Sequence, residues 1–202
     1  MQQYVKPSEI DACIISHYHA DHIADIGVLQ HAILIHKHLT NLHKTLPIYG
    51  HTEDLNSFNT LSFKDITEGI PYNPNETLHI GPFKISFLKT KHPVPCYAFR
   101  IETEDSVLVY TADSAFLEEF IEFSKGADLL LCECNFYANM DGSQAGHMNS
   151  LDAAHLAKEA KVRKLVLTHL PHYGDLNNLV EEAKTIFKDH VYLAASEQVW
   201  EI

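Results

Sequence analysis

The segment His17-Tyr18-His19-Ala20-Asp21-His22 constrains this chain more than any other. Three imidazoles and a carboxylate in so short a stretch are four candidate metal ligands. The apolar run at 12–16 before it reads as a buried strand. Behind it, Ile26, Leu29 and Ile33 recur at helical spacing and predict a helix over 23–39. The segment therefore falls in a strand-to-helix loop. Alternation along an extended chain puts His17 and His19 on one side. Asp21 and His22 lie where the helix begins to turn. This spacing suits two ions, His17 and His19 on one, Asp21 and His22 on the other. Mixed imidazole and carboxylate donors suit Zn²⁺ and admit Mn²⁺ or Fe²⁺. The competing reading is a cluster of solvated loop histidines, in a chain with 15 histidines among 202 residues.

The rest of the chain alternates strand and helix patterns without an internal repeat, low-complexity tract or linker. With 46% hydrophobic residues it fits one domain over 1–202. Strands are expected at 46–50, 77–80 and 83–89, the last two joined at Gly81-Pro82. Two more, 96–102 and 106–110, flank a polar turn at 103–105. A helix at 115–123 and a strand at 128–134 follow. Ser150 is the expected N-cap of a helix over 151–161, before a strand at 164–168, a helix at 176–187 and a strand at 191–194. The order predicts a β-rich N-terminal half and an alternating C-terminal half, an α/β fold with sheets covered by helices.

The net charge of −12 argues against a protein that grips nucleic acid by a broad basic face. Cys13, Cys96, Cys132 and Cys134 form no C-x-x-C pair and read as small buried residues in or beside strands. No signal-peptide pattern or membrane-span-length apolar run is visible, and the cytoplasm is the expected compartment.

The first segment resembles the H-x-H-x-D-H signature of the metallo-β-lactamase fold. Further matches follow in order along nearly the whole chain: Lys91-His92-Pro93 with Tyr97-Ala98-Phe99-Arg100-Ile101, Tyr110-Thr111-Ala112-Asp113-Ser114, Gly146-His147-Met148-Asn149-Ser150, and Leu167-Thr168-His169-Leu170. The Gly146-His147 segment is similar to the Gly-His-Ser-Thr type motif of the ribonuclease Z-like, phosphodiesterase branch. The resemblance implies an αββα sandwich, two sheets packed between helices with the metals at one sheet edge. It also implies two sites: His17, His19, His92 and a bridging Asp113 at one, Asp21, His22, Asp113 and His169 at the other. Read locally, Asp113 could instead cap the 115–123 helix, and His172 is the rival of His169. In full-length relatives two or three strands precede the first motif. The chain is therefore expected to be an N-terminally truncated form of the fold, with an exposed sheet edge.

The function implied is that of a metal-dependent hydrolase with two divalent ions, Zn²⁺ first and Mn²⁺ second. Ions about 3.5–4 Å apart share a water, lower its pKa and supply a metal-bound hydroxide as nucleophile. Asp21 ligates and orients it, His147 is the general acid for the leaving alkoxide, and Glu133 holds and polarises His147. The plain readings are that Glu133 is a strand-end acid and His147 a flank of the next helix. Asp113 lies only 21 positions after His92. The long arm that grips tRNA in true tRNA-processing relatives has no room there. A small phosphodiester, such as a cyclic nucleotide or nucleotide-like ester, is the expected substrate, with extended nucleic acid and membranes not partners and a homodimer open. The alternatives are a lactone or thioester hydrolase of the same fold, against which Thr90-Lys91-His92-Pro93 lacks the Thr-Pro-Gly-His pattern, and an inactive metal-binding form. The remaining histidines, His31, His36, His38, His43, His51, His79, His155, His172 and His190, carry no assigned chemistry. Of these His51 is the best candidate for a substrate contact, and His36, His38 and His43 could shape an entrance.

Overall fold

The computed structural model describes residues 4–40, 44–188 and 190–202. It divides into two units, Met1–Asn73 and Pro74–Ile202, each with its own hydrophobic cluster.

The first unit holds β1 (Cys13–Ile14), α1 (Ala20–Ile23), α2 (Ile26–Thr40), β2 (Leu46–Gly50), α3 (Leu55–Asn59) and β3 (Thr67–Pro71). Its three strands run parallel in the order β1-β2-β3. Parallel neighbours need crossovers, which α2 and α3 provide. This part of the chain is thus a small layered α/β unit. The predicted helix at 23–39 is two helices, and the strand at 12–16 shrinks to two paired residues. β3 went unpredicted because Thr67-Glu68-Gly69-Ile70-Pro71 carries a Gly and a Pro and only one large apolar residue. Ile15, Leu29, Ile33, Leu46, Ile48, Leu61 and Ile66 are buried together in this unit.

The second unit is a seven-stranded sheet in the order β10-β9-β8-β7-β6-β5-β4. β4 (Leu78–Ile80), β5 (Phe83–Lys89), β6 (Tyr97–Glu102) and β7 (Val107–Tyr110) form an antiparallel meander. The first turn is Gly81-Pro82, with Ile80 paired to Phe83 and Gly81 at φ +55°. From β7 onward the sheet is parallel, with α4 (Glu119–Phe123), β8 (Leu129–Glu133), α5 (Ser150–Glu159), β9 (Leu165–Thr168), α6 (Asn177–Lys184) and β10 (Val191–Leu193) alternating. Leu129, Leu130 and Cys132 of β8 and Leu165, Val166 and Leu167 of β9 are buried without alternation, as strands covered on both faces require. Ala153, Ala154 and Ala157 on α5, with Leu156, are fully buried and let the helix approach β8 and β9 closely. Truncating Leu156 there would cost roughly 2–5 kcal/mol.

Two boundaries differ from expectation. Asn149, not Ser150, caps α5: its side chain accepts from the N–H groups of Leu151 and Asp152, and Asp152 reaches back to the Asn149 N–H. α4 begins only at Glu119, because Ala115 pairs with Lys91 in an isolated β-bridge. Asp113 is therefore no helix cap. Among the described residues no helix is long and apolar enough to cross a membrane.

Candidate metal centre

In the first unit, β1 hands the chain to the histidine segment. His17 is fully buried, and its Nδ1 lies 3.1 Å from the Ser16 hydroxyl. That contact leaves Nε2 facing His19, whose Nδ1 is 3.2 Å away. His19 stays extended (φ −61°, ψ 148°) and forms the N-cap position of α1. The His22 ring lies 4.1 Å from that of His17, and its Nε2 is 3.2 Å from the exposed Asp21 carboxylate. Alternation thus does pair His17 with His19, and the first turn of α1 pairs Asp21 with His22. Two imidazole nitrogens facing each other at hydrogen-bond distance, beside an imidazole–carboxylate pair, are the donor chemistry a divalent cation takes.

In the second unit the site gathers at the C-terminal ends of β7, β8 and β9, where open parallel sheets place their ligands. Asp113 is 1% exposed. Ala112 before it adopts φ +51°, and His169 just after β9 adopts the same φ. Left-handed backbone at non-glycine residues is costly and concentrates where side chains are aimed for function. His169 Nε2 lies 3.4 Å from Asp113 Oδ2. Asn135 donates its side-chain amide to the His169 carbonyl at 3.0 Å and sits 3.2 Å from Nδ1. Its rival His172 is exposed on the following loop.

His92 is set by a different contact. Its Nδ1 is 3.1 Å from the Gly146 carbonyl. A carbonyl only accepts, so Nδ1 carries the proton and Nε2 the lone pair, the tautomer of a metal-binding imidazole with an outer hydrogen bond. Gly146 has φ +81°, and a Cβ there would meet Pro93 Cδ at 2.7 Å and His92 Cα and Nδ1 at 3.0 Å. Only glycine lets this loop approach His92.

Glu133 and His147 form a pair. Glu133 is fully buried at the end of β8, and its Oε1 lies 2.9 Å from His147 Nδ1. The carboxylate also accepts the N–H groups of Ser114 (3.1 Å) and Asn135 (3.2 Å). Burial pushes its pKa up to about 7, against the lowering pull of His147 and the Ser114 N–H. His147 stacks on His169 (ring centroids 5.2 Å apart, 18° between planes) and meets His92 edge-on at 5.3 Å. Its nitrogen, with one from His169 and an Asp113 oxygen, forms a set within 4.8 Å that could hold a metal ion. The motif reading assigns His147 only as a proton donor or helix flank, so this proximity is new.

His51 is 1% exposed, inside a cage of Tyr18, whose hydroxyl donates to the His51 carbonyl at 2.7 Å, Tyr72 and the Glu53 N–H. Its ring packs against Tyr18 and Tyr72 of its own unit. His43 lies outside the described residues. Sequence patterns also missed Glu182. It accepts the Ser150 hydroxyl (2.5 Å) and the Ala138 N–H (2.9 Å), clamping both ends of the 135–149 loop that carries His147. A lone glutamate on an amphipathic helix gives no signal of such a role.

A model of the family described as the beta-lactamase superfamily domain matches residues 2–170. The chain is 54% identical over 198 residues to the Bacillus subtilis protein named probable metallo-hydrolase YhfI, covering 98% of this chain and 81% of that one. The crystal structure of YhfI, described as a metallo-beta-lactamase fold protein, matches with a TM-score of 0.96 over 98% of this chain and 80% of that chain. Ribonuclease Z of Methanopyrus kandleri is 26% identical over 222 residues, covering 93% of this chain and 77% of that protein. The crystal structure of the short form of human tRNase Z has the same fold, with a TM-score of 0.72 at 20% identity over 98% of this chain and 81% of that chain.

Proposed function

The chain belongs to the beta-lactamase superfamily and is a metallo-hydrolase of that fold, and from that premise we propose that it hydrolyses a small phosphodiester. The observation that carries this reading is the Glu133–His147 pair, a proton donor held by a buried acid beside Asp113 and His169. Such a donor is suited to protonating the poor alkoxide that leaves phosphorus. The sequence likeness to a ribonuclease Z supports phosphoryl chemistry.

Two Zn²⁺ ions are proposed, held by His17, His19, His92 and Asp113 at one position and by Asp21, His22, Asp113 and His169 at the other. They would activate water and neutralise charge on the attacked phosphoryl oxygens. Asp21 orients the attacking water. His147 gives its Nε2 proton to the leaving oxygen, and Glu133 stabilises the imidazolium through Nδ1, the division of labour of an oriented imidazole. The substrate is proposed to be small because the chain between His92 and Asp113 is spent on β6, β7 and the turn joining them. The net charge of −12 disfavours extended nucleic acid. Four unbridged cysteines are in keeping with the cytoplasm as compartment.

The test is metal analysis with a substrate panel of bis(p-nitrophenyl) phosphate, cyclic nucleotides and a lactone. Close to two ions per chain and preference for the phosphodiesters are expected. Preference for the lactone would overturn the reading. His147→Ala should cut turnover by about 10²–10⁴ with metal content unchanged. Loss of metal would make His147 a ligand instead.

A further inference from the structure

An open groove of about 470 Å³ lies beside His92, lined by Lys91, His92, Pro93, Ser143, Gln144 and Gly146. Its lining offers an ammonium, an imidazole, a hydroxyl and an amide. Lys91 is not a loosely tethered surface lysine. Its N–H donates to the Ser114 hydroxyl at 3.0 Å and its carbonyl accepts the Ala115 N–H at 3.0 Å. Its Cα is thus fixed next to the segment that presents Asp113, and its neighbour His92 is fixed by Gly146. Ser143, Gln144 and Gly146 of the lining belong to the loop that leads directly into His147. Asp141 already draws on this region, bonded by Ser143 and, more weakly, attracted by Lys91, which together hold its carboxyl below the usual range.

We propose that this groove is the leaving-group subsite and that Lys91, with Ser143 and Gln144, selects substrates whose leaving alcohol carries a second phosphate. The inference rests on the phosphodiesterase reading. In the reaction water adds to phosphorus, the bond from phosphorus to the leaving oxygen breaks, and the proton on His147 goes to that oxygen. The second phosphate is untouched and serves as a handle. A phosphate dianion offers several acceptors to an ammonium, a hydroxyl and an amide, whereas a neutral aryl or nucleoside leaving group leaves Lys91 unused.

The experiment uses the Zn²⁺-loaded full chain and the Lys91→Gln variant. The dinucleotide ApA is compared with its phosphorylated forms pApA and ApAp, one of which places the extra phosphate on the leaving side. The native protein should favour one phosphorylated form over ApA at least tenfold in kcat/KM, mostly through KM. In Lys91→Gln that ratio should fall to about one. No preference in the native protein, or a ratio unchanged in the variant, overturns the proposal. Calorimetric binding of adenosine 3′,5′-bisphosphate, which contains no diester, separates this failure from that of the function. Weakening of at least fivefold in Lys91→Gln supports the subsite even if no diester is cleaved, in which case the proposed reaction alone fails. Equal binding overturns the subsite whatever the enzyme hydrolyses.

Discussion

Glu133 is the residue whose environment is most at odds with its chemistry. A carboxyl raised from an ordinary value of 4.5 to about 7 by burial is held more tightly as the acid in the folded chain. Its contribution to stability is complete below pH 4.5 and is lost as pH rises through 7. The loss is up to about 3 kcal/mol, moderated by the pairing of the carboxylate with His147. Metal-free protein melted between pH 5 and 8 should lose stability across that window, and Glu133→Gln should flatten the slope. An unchanged slope would place the pH dependence elsewhere. The acid and its imidazole could be named from the sequence because each lies in a recognisable segment. Gly146 was visible as a motif glycine, but its close approach to His92 was not, since nothing local in Ala145-Gly146-His147 says which distant backbone will pass. The left-handed Ala112 was equally hidden, because alanine carries no signature for positive φ.

At the scale of elements, long apolar runs were the legible ones. β8 and β9 were located to within a residue or two because burial on both faces writes a continuous apolar string. Short elements fixed by partners far along the chain were not, as with α4, whose expected first turn is taken by the Lys91–Ala115 bridge. The cap of α5 was misplaced by one residue because Asn149 and Ser150 are both good caps and only Glu182 decides between them, by engaging the serine hydroxyl. Asn149→Ala should cost about 1 kcal/mol in chemical denaturation, the usual loss for a cap. Glu182→Gln should loosen both ends of the 135–149 loop. Its kcat should fall about tenfold with little change in KM, and the pH–rate profile should shift as the Glu133–His147 pair loses register. A change in melting temperature alone, with kinetics intact, would make Glu182 merely structural.

For the molecule as a whole, the motifs give the family and its fold class, but not the division into two units with separate cores. Hydrophobic spacing marks which residues are inside, not which inside they share. The chain 1–202 is proposed to behave as one domain once metal is bound. Calorimetry should then find a single transition for the Zn²⁺-loaded chain, lowered or split by a chelator as the binding free energy is withdrawn. Two transitions at all metal concentrations would argue for independent units. The left-handed turns at Ala112 and His169 also bear on how this protein can change over generations. Each holds strain on the order of 1–3 kcal/mol. A glycine at 112 would relieve it, so selection for heat tolerance favours that change, while the freed backbone would let Asp113 drift. Durability and turnover therefore pull position 112 in opposite directions, and lineages of this fold that drift toward one should lose ground in the other.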